Sequence, residues 1–417
     1  MKKTLTIIIA AIISGLCAFA SAPAIKPGVE VLRDSRFELL QGKRVGLITN
    51  PSGVDNNLRS TIDILNEAEG VKLVALYAPE HGVRGDIYAG EKVSTYTDPA
   101  TGVPVYSIYG NGHKPTPEML RNIDVLVYDI QDNGCRSFTF ISTMGKALEA
   151  AAENGIEFMV LDRPNPLGGN KIEGPITEDD CVSFVSQFPI PYLYGLTPGE
   201  LALFLHDTML SDKLKSNLKA ITVVPMEGWR RSMTFADTAM PWVLPSPHIP
   251  TAESAILYPA TGIVGELNYL NIGVGYTMPF KLFVAPWIDA HEFSKRLNAL
   301  ELPGMMFRPI FIKPFYGFAK GENCAGVEIF VTDHEAARLS LLNFYALQVL
   351  AEMYPDRKAF AQGGADSKRF NMFDKVVGSK NIRAQFAKRH RVDDIIDYWN
   401  KDVEAFRLKS SKYHLYK

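Results

Sequence analysis

The 417-residue sequence contains few cysteines and almost no excess charge. It has four cysteines, and once Cys17 is set aside with the apolar N-terminus, three widely spaced ones remain. This number and spacing argue against a disulfide framework and against a paired zinc motif. Lysine and arginine (44) nearly balance aspartate and glutamate (46), which gives a formal net charge of −2. The charge therefore gives no reason to expect nucleic acid or an anionic membrane as a partner.

Several motifs that identify common enzyme classes are also absent. The first strand candidate is not followed by G-x-G-x-x-G, so a dinucleotide is not implied. Neither H-E-x-x-H nor G-x-S-x-G occurs, which removes the usual signatures of zinc peptidases and serine hydrolases. Oxygen ligands for a divalent cation are present, but no spacing demands one. The sequence therefore predicts neither a cofactor nor a metal.

The longest apolar segment lies at the N-terminus. Two lysines precede an apolar run over residues 5–16, and small residues at A-x-A spacing follow. This pattern is typical of a secretory signal peptide, and the run is too short to span a bilayer comfortably. We expect residues 1–22 to be removed and the protein to be periplasmic or secreted, with no other membrane association. Lipidation at Cys17 is the less favoured alternative, because Leu16 stands where lipoprotein signals have a small residue.

A β-α-β unit occupies the middle of the chain. Two short apolar runs, at 125–128 and 158–161, have the aliphatic and β-branched character of fully buried strands. Helix-forming residues fill 142–154 and stop at Gly155, a typical C-terminal signal. We expect the two strands to be parallel and joined by a right-handed crossover.

Further strand candidates extend this unit into a sheet. They lie at 44–50, 72–77 and 103–108 and alternate with helical segments. The alternation predicts an α/β fold with a Rossmann-like, mostly parallel sheet over residues 23–187. A smaller C-terminal α/β domain over residues 188–417 completes the predicted organisation.

The second region combines helix starts with a long irregular segment. Thr197 and Glu200 have the spacing of a capping box, and Thr332 and Glu335 repeat it. Residues 225–286 are rich in proline, glycine and aromatic residues and have little periodicity. Long irregular segments inside compact proteins are often functional, so this one predicts loops that serve a site.

Charged and amide side chains follow the predicted strands where each strand ends. In open α/β sheets, ligands bind just beyond the carboxyl ends of the strands, so these residues predict a site. A lone aspartate at a strand end is often only a turn residue, whereas several at neighbouring ends favour a site. The candidates are Asn50 after the first strand, Asp129, Gln131, Asp132 and Arg136 after the strand at 125–128, and Asp162, Arg163 and Asn165 after the strand at 158–161.

Glu80 is the leading candidate for a catalytic acid. It follows the strand at 72–77 in a tight turn, beside His81 and shortly before Arg84. A carboxyl group next to apolar strand residues is expected to have a raised pKa, which suits a general acid. The alternative interpretation is a surface turn with a salt-bridged glutamate.

Aromatic and polar residues of the second region are candidates for binding a sugar. Flat aromatic rings pack well on the C–H faces of sugars, and glycine-rich backbone can approach a ligand closely. The stacking candidates are Trp229, Trp242, Tyr192 and Tyr194, and the polar candidates are His248 between prolines and Glu266 and Asn268 among glycines. Ordinary packing is the alternative for the aromatic residues.

Seven stretches of this chain resemble the bacterial exo-β-N-acetylmuramidase family, formerly a domain of unknown function. They are GLITNPSGVD (46–55), YAPEHGVRGD (77–86), VYDIQDNGCRSFTFISTM (127–144), LDRPNPLGG (161–169), PYLYGLTPGELA (191–202), WVLPSPHIPT (242–251) and TGIVGELNYLNIGVGYTMPF (261–280). The resemblance implies a Rossmann-like domain joined to a smaller α/β domain, with the active site in the cleft between them. It also implies release of N-acetylmuramic acid from the non-reducing end of peptidoglycan fragments, with Glu80 as the cleft glutamate. Members often have arginine where this chain has Val274.

Glycoside hydrolysis usually needs two carboxyl groups, one of them protonated. We expect Glu80 to be the acid and Asp129, Asp132, Asp162 or Glu266 its partner, unless the N-acetyl group of the substrate acts as the nucleophile. The lactyl carboxylate of muramic acid calls for an arginine, because guanidinium binds carboxylate in a bidentate way. Arg84, Arg136 and Arg163 are the candidates for that contact.

Two other functions fit the same residues. The chain could bind wall sugars without turning them over, which predicts tight binding without product. It could instead be a metal-dependent ester or phosphate hydrolase built on the aspartates, which predicts loss of activity with a chelator. The sequence leaves the oligomeric state open.

Overall fold

The computed structural model describes residues 25–85, 94–110 and 113–417, so the signal peptide predicted for residues 1–22 lies outside the described residues. The strands are β1 Arg44–Thr49, β2 Lys72–Ala78, β3 Tyr96–Thr97, β4 Pro104–Ser107, β5 Val125–Asp129, β6 Glu157–Leu161, β7 Ile172–Glu173, β8 Leu193–Tyr194, β9 Ala220–Val224, β10 Leu282–Ala285, β11 Met305–Ile312 and β12 Cys324–Val331. The helices are α1 Gly28–Asp34, α2 Thr61–Glu67, α3 Pro117–Leu120, α4 Phe140–Asn154, α5 Pro198–Met209, α6 Asp212–Asn217, α7 Ala252–Gly265, α8 Ala290–Asn298, α9 Leu342–Met353, α10 Phe370–Val377, α11 Lys380–Arg389, α12 Ile396–Asn400 and α13 Val403–Ser410.

The first sheet is mostly parallel, with the strand order β3-β4-β2-β1-β5-β6-β9. The edge strand β3 is antiparallel to β4, and the other neighbouring pairs are parallel. The chain moves outward from β1 through β2 to β4, and then returns to the centre and moves the other way from β5. This is the doubly wound order of a Rossmann-like domain. The predicted α/β fold with a mostly parallel sheet is therefore confirmed.

Apolar layers cover both faces of this sheet. Val125 and Val127 of β5 pack into one buried cluster, while Leu126 and Tyr128 pack into a second cluster on the opposite face. Parallel strands with two covered faces have continuous apolar runs rather than alternating ones. This explains why the strands could be predicted from the apolar runs in the sequence.

The end of α4 and the start of α5 lie at the capping residues that the sequence indicated. α4 ends at Gly155, whose φ of 63° is the left-handed conformation that glycine adopts without strain. At the start of α5, the Thr197 side chain accepts from the Glu200 amide and the Glu200 carboxylate accepts from the Thr197 amide, as in a capping box. None of the helices within the described ranges is both long and apolar enough to cross a membrane.

The second half of the chain contributes to both parts of the molecule. Strands β10, β12 and β11 form a separate antiparallel sheet. In contrast, β9 joins the first sheet beside β6, so that sheet extends beyond the division expected at residues 187 and 188. The C-terminus also returns to the first sheet, where the Tyr416 hydroxyl donates to Asp162.

Two local predictions were wrong. The irregular segment at 225–286 contains α7, which begins at the capping residue Thr251 and continues through Pro259. The Thr332 capping box does not form, because the Thr332 amide donates to the carbonyl of Gly304 next to the β11–β12 pair. The helix that follows, α9, begins only at Leu342.

Candidate active site

Protein atoms fill the switch point between β1 and β5, where doubly wound folds commonly bind ligands. The Asn50 side-chain amide donates to the carbonyl of Pro245 at 2.9 Å, and the backbone amide of Gln131 donates to the Ser52 hydroxyl at 2.9 Å. The cavity that remains there is only about 10 Å³. Such a volume holds at most one water molecule. Asn50 thus connects β1 to the loop around Pro245.

Glu80 lies at the carboxyl end of β2, next to the end of β4. It is half-buried, and the Tyr109 hydroxyl donates to its Oε1 at 2.9 Å. The Thr139 hydroxyl lies 3.5 Å from Oε2. The following residue, His81, is buried in a left-handed conformation with φ of 71°, and its Nε2 shares a 3.1 Å hydrogen bond with Ser246. Hydrogen bonds to both Glu80 and His81 therefore hold the turn that follows β2.

A cavity of about 300 Å³ lies beside α7. Its lining includes Tyr258, Glu266, Asn268, Asn271, Val274 and Phe318. Burial raises the pKa of Tyr258 well above its usual value, and the charges of Glu266 and Glu80 add to this. The Tyr258 hydroxyl is also 3.2 Å from that of Ser137, two residues before Thr139. Residues 137–139 therefore connect Tyr258, in the lining of the cavity, with Glu80.

Glu266 is a carboxylate in the lining of the cavity. It caps α7, and burial raises its pKa while Arg369 opposes the shift. Arg369 donates from Nη2 to Oε2 of Glu266 at 3.2 Å and from Nε to the Glu266 carbonyl at 2.8 Å. Asn268, two residues later, is exposed at the cavity with φ of 49°.

His248 connects the site to an aromatic loop. Its Nε2 shares a 2.7 Å hydrogen bond with the Tyr316 hydroxyl. Burial lowers the pKa of His248, the charge of His81 adds to this, and the carboxylate of Glu80 opposes it. His248 lies two residues after Ser246, which hydrogen-bonds His81, the neighbour of Glu80.

Asp129 lies in a closed ion pair inside the first sheet. It is fully buried, and both its oxygens accept from the guanidinium of Arg163. The Thr61 hydroxyl donates to Oδ2 at 2.5 Å. Strands are about 4.8 Å apart, so the end of β5 is about 10 Å from the end of β2, where Glu80 lies. Internal donors therefore satisfy the hydrogen-bonding capacity of both Asp129 oxygens, about two strand spacings away from Glu80.

Asp162 is fully buried at the start of α5 and is also satisfied internally. It accepts from the Thr197 hydroxyl and the Gly199 amide at 2.8 Å, and from the Tyr416 hydroxyl at 2.5 Å. Burial raises its pKa to about 7, although these hydrogen bonds oppose the shift. The end of β6 is three strand spacings, or about 14 Å, from the end of β2. Asp162 therefore ties the C-terminus to the sheet.

Asp132 and Gln131, which follow β5, belong to a buried cluster of hydrogen-bonded side chains. Asp132 Oδ2 accepts from the Tyr194 hydroxyl and the Gly134 amide, and burial raises the Asp132 pKa to about 6. Gln131 Nε2 donates to the carbonyls of Asp132 and Pro164. Both residues are nearly inaccessible to solvent.

The three arginines expected to bind a carboxylate are already engaged. Arg84 forms a bidentate pair with Asp98 at 3.0 and 3.1 Å. Arg136 is fully buried and donates to the carbonyls of Pro175, Ile190 and Val377, among others. Arg163 is held by Asp129, as described above.

The remaining predicted residues make hydrogen bonds within the protein. Asn165 donates to the carbonyl of Leu196 and accepts from the amide of Leu167. The Trp242 indole donates to the carbonyl of Ile249 at 3.1 Å and packs edge-on against Phe235. Stacking of sugars on other aromatic candidates was a wrong prediction, because Trp229, Tyr192 and Tyr194 are buried.

Sequence reasoning missed four residues of this site, namely Tyr109, Thr139, Tyr258 and Arg369. Tyr109 follows the end of β4, so the rule that found Glu80 at the end of β2 could also have found it. Arg369 is distant in sequence and carries no local signal. Across the part of the chain that the structure describes, no three His, Cys, Asp or Glu side chains are grouped to hold a metal ion.

Comparisons with known proteins identify the family. The N-terminal model of the exo-β-N-acetylmuramidase NamZ matches residues 45–253, and the C-terminal model matches residues 256–416. A curated peptidoglycan β-N-acetylmuramidase NamZ from Bacillus subtilis (strain 168) is 45% identical over 397 residues, which are 95% of this chain and 92% of that protein. A crystal structure of a DUF1343 family protein from Bacteroides fragilis is 57% identical, with a TM-score of 0.89 over 94% of this chain and 99% of that chain. A second DUF1343 structure from the same organism is 26% identical, with a TM-score of 0.73 over the same shares. Because the two models together cover most of the sequence, this chain belongs to the exo-β-N-acetylmuramidase family.

Proposed function

We propose that this protein is a glycosidase that releases N-acetylmuramic acid from the non-reducing end of peptidoglycan fragments. The family and the curated relative support the reaction and the substrate class. The cavity of about 300 Å³ that Tyr258 and Glu266 line supports a site that encloses one terminal sugar. An enclosed terminal sugar is what exo-acting hydrolysis requires.

The observation that carries this proposal is the position of Glu80. Its carboxyl group is half-buried next to the cavity and is held by the Tyr109 and Thr139 hydroxyls. A general acid in a glycosidase must present its proton to the glycosidic oxygen as the bond breaks. We assign this role to Glu80.

Glu266 is our choice for the second carboxyl group. It lines the cavity, and its charge and that of Glu80 both act on Tyr258. Paired carboxyl groups in glycosidases are about 5–9.5 Å apart. Asp129 and Asp162 are bound to internal donors, so we assign them to the scaffold. The N-acetyl group of the substrate is the alternative nucleophile, and Glu266→Gln distinguishes the two by its loss or retention of turnover.

Arg369 is our candidate for recognition of the lactyl carboxylate. Its Nε and Nη2 contact Glu266, while its side chain remains 43% exposed. Guanidinium pairs strongly with carboxylate, which suits the acidic group that distinguishes muramic acid from glucosamine. The apolar N-terminal pattern supports a periplasmic or secreted location, where wall fragments are found.

The direct test is the release of free N-acetylmuramic acid from a chromogenic muramide. We expect the wild type to turn it over and Glu80→Gln to lose at least about a hundredfold in kcat. Glu118→Gln is the matched control, because Glu118 is exposed on α3. Full activity of Glu80→Gln would refute the assignment of the acid.

The same assay separates the two other functions. Tight binding of a muramide without product would favour a wall-sugar binding protein. Loss of activity on treatment with a chelator would favour a metal-dependent hydrolase. Turnover that a chelator leaves unchanged supports the glycosidase.

A further inference from the structure

A loop with exposed aromatic rings lies beside the cavity, between β11 and β12. Phe315 is 54% exposed and Tyr316 is 41% exposed, and their ring centroids are 5.7 Å apart. Tyr276 lies 6.2 Å from the Phe315 ring. Single exposed apolar residues are ordinary on protein surfaces, but adjoining aromatic rings often mark a binding site. We call Tyr276, Phe315 and Tyr316 the aromatic rim.

The backbone fixes the position of the aromatic rim. The amide of Phe315 donates to the carbonyl of Gly275 at 2.9 Å, and the Asn271 side chain donates to the carbonyl of Phe318 at 2.9 Å. Gly275 has φ of 96°, and a Cβ there would lie 2.0 Å from the carbonyl oxygen of Tyr316. Only glycine fits at this position. The rings are therefore presented by a preorganised loop.

The aromatic rim is continuous with the site that contains Glu80. Gly317 and Phe318, the next residues of the loop, line the cavity. Tyr316 also shares the 2.7 Å hydrogen bond with His248, which follows two residues after Ser246, the hydrogen-bond partner of His81. The proposed function requires the terminal sugar to fill the cavity with its glycosidic oxygen at Glu80, and the leaving saccharide must then extend outside the cavity.

We propose that the aromatic rim is the binding platform for the leaving saccharide, with the C–H face of its first sugar ring stacked on Phe315. This inference rests on the proposed function and adds the side chains that bind an uncharged leaving sugar outside the cavity. The positive hydrogens of a sugar C–H face are attracted to the negative face of an aromatic ring. The three rings carry no charge, which matches an uncharged sugar.

The test compares two substrates that differ only in the leaving group. One is a disaccharide of N-acetylmuramic acid and N-acetylglucosamine, and the other is muramyl fluoride, which has no leaving sugar. We expect Phe315→Ala to lower the ratio of their kcat/KM values, disaccharide to fluoride, about tenfold. Phe315→Tyr keeps a flat ring and is expected to keep the ratio. The control is Phe311→Ala, because Phe311 is 64% exposed on β11 and is expected to leave the ratio unchanged.

The outcomes separate this inference from the proposed function. An unchanged ratio in Phe315→Ala, or an equal fall with Phe311→Ala, overturns the platform even if the wild type cleaves both substrates. If the wild type cleaves neither substrate, the proposed function fails, and the platform is then tested by calorimetry. In the Glu80→Gln background, Phe315→Ala should weaken disaccharide binding about tenfold relative to binding of free N-acetylmuramic acid. Equal weakening of both ligands overturns the platform there.

Discussion

Replacing Asp129 by asparagine separates a structural role for this carboxylate from a catalytic one. Asp129 and Arg163 are both fully buried, and the guanidinium donates to both carboxylate oxygens. The substitution leaves the charge of Arg163 buried without a counter-charge. Breaking a buried pair in this way costs about 3–5 kcal/mol. This is a large part of the about 5–15 kcal/mol by which native domains are stable.

The assay is urea unfolding of Asp129→Asn at pH 7, combined with muramide turnover per folded molecule. We expect the free energy of unfolding to fall by about 3–5 kcal/mol and the turnover of folded protein to persist. The matched control is the double variant Asp129→Asn with Arg163→Met. It removes both charges, so it should recover much of the lost stability.

One result would refute this reasoning. If Asp129→Asn were as stable as the wild type but lost about a hundredfold or more in kcat, Asp129 would take part in the reaction. The internal hydrogen bonds would then describe only the resting state of a catalytic group.

Three further predictions follow from the same contacts. Tyr109→Phe removes the hydroxyl that donates to Glu80 and should lower kcat/KM for a muramide about fivefold, whereas unchanged kinetics would mean that the hydroxyl does not position the acid. Burial raises the pKa of Asp162 to about 7 from 3.8, so its contribution to stability is full below about pH 4 and is lost as the pH rises through 7, with a slope of at most about 1.4 kcal/mol per pH unit. Urea unfolding at several pH values from 4 to 8 should therefore show a shallower fall in Asp162→Asn than in the wild type, and equal falls would contradict the raised pKa. Arg369→Met should lower kcat/KM for a muramide at least about tenfold relative to a glucosaminide, and an unchanged ratio would exclude Arg369 from recognition of the lactyl group.

Local signals in the sequence were sufficient for most of the first sheet. The runs that became β5 and β6 are buried on both faces, so their composition identified them without any knowledge of neighbours. Gly155 and the Thr197 capping box act within one or two turns of helix, and they formed as predicted. Such features depend on residues close in sequence.

Local signals failed where distant residues decide the backbone. The composition of residues 225–286 predicted loops, yet α7 forms there and continues through Pro259. Asn343 of α9 accepts from the Val264 backbone amide and donates to the Pro259 carbonyl. The Thr332 backbone amide likewise donates to the carbonyl of Gly304, and the next helix begins only at Leu342. In both cases a hydrogen bond from elsewhere in the chain outweighed a local preference.

The sequence by itself determined the fold class, the family resemblance and the choice of Glu80, because strand burial, helix caps and a carboxylate in a tight turn after a buried strand are properties of contiguous residues. Only the tertiary structure decided which groups surround Glu80. Asp129 and Asp162 are at strand ends, as Glu80 is, but the strand order places them two and three strands away, and their carboxylates bind Arg163 and Tyr416. Glu266, Tyr258 and Arg369 come from helical segments far along the chain. A group's partners depend on the distances between its atoms and theirs, and folding alone sets those distances.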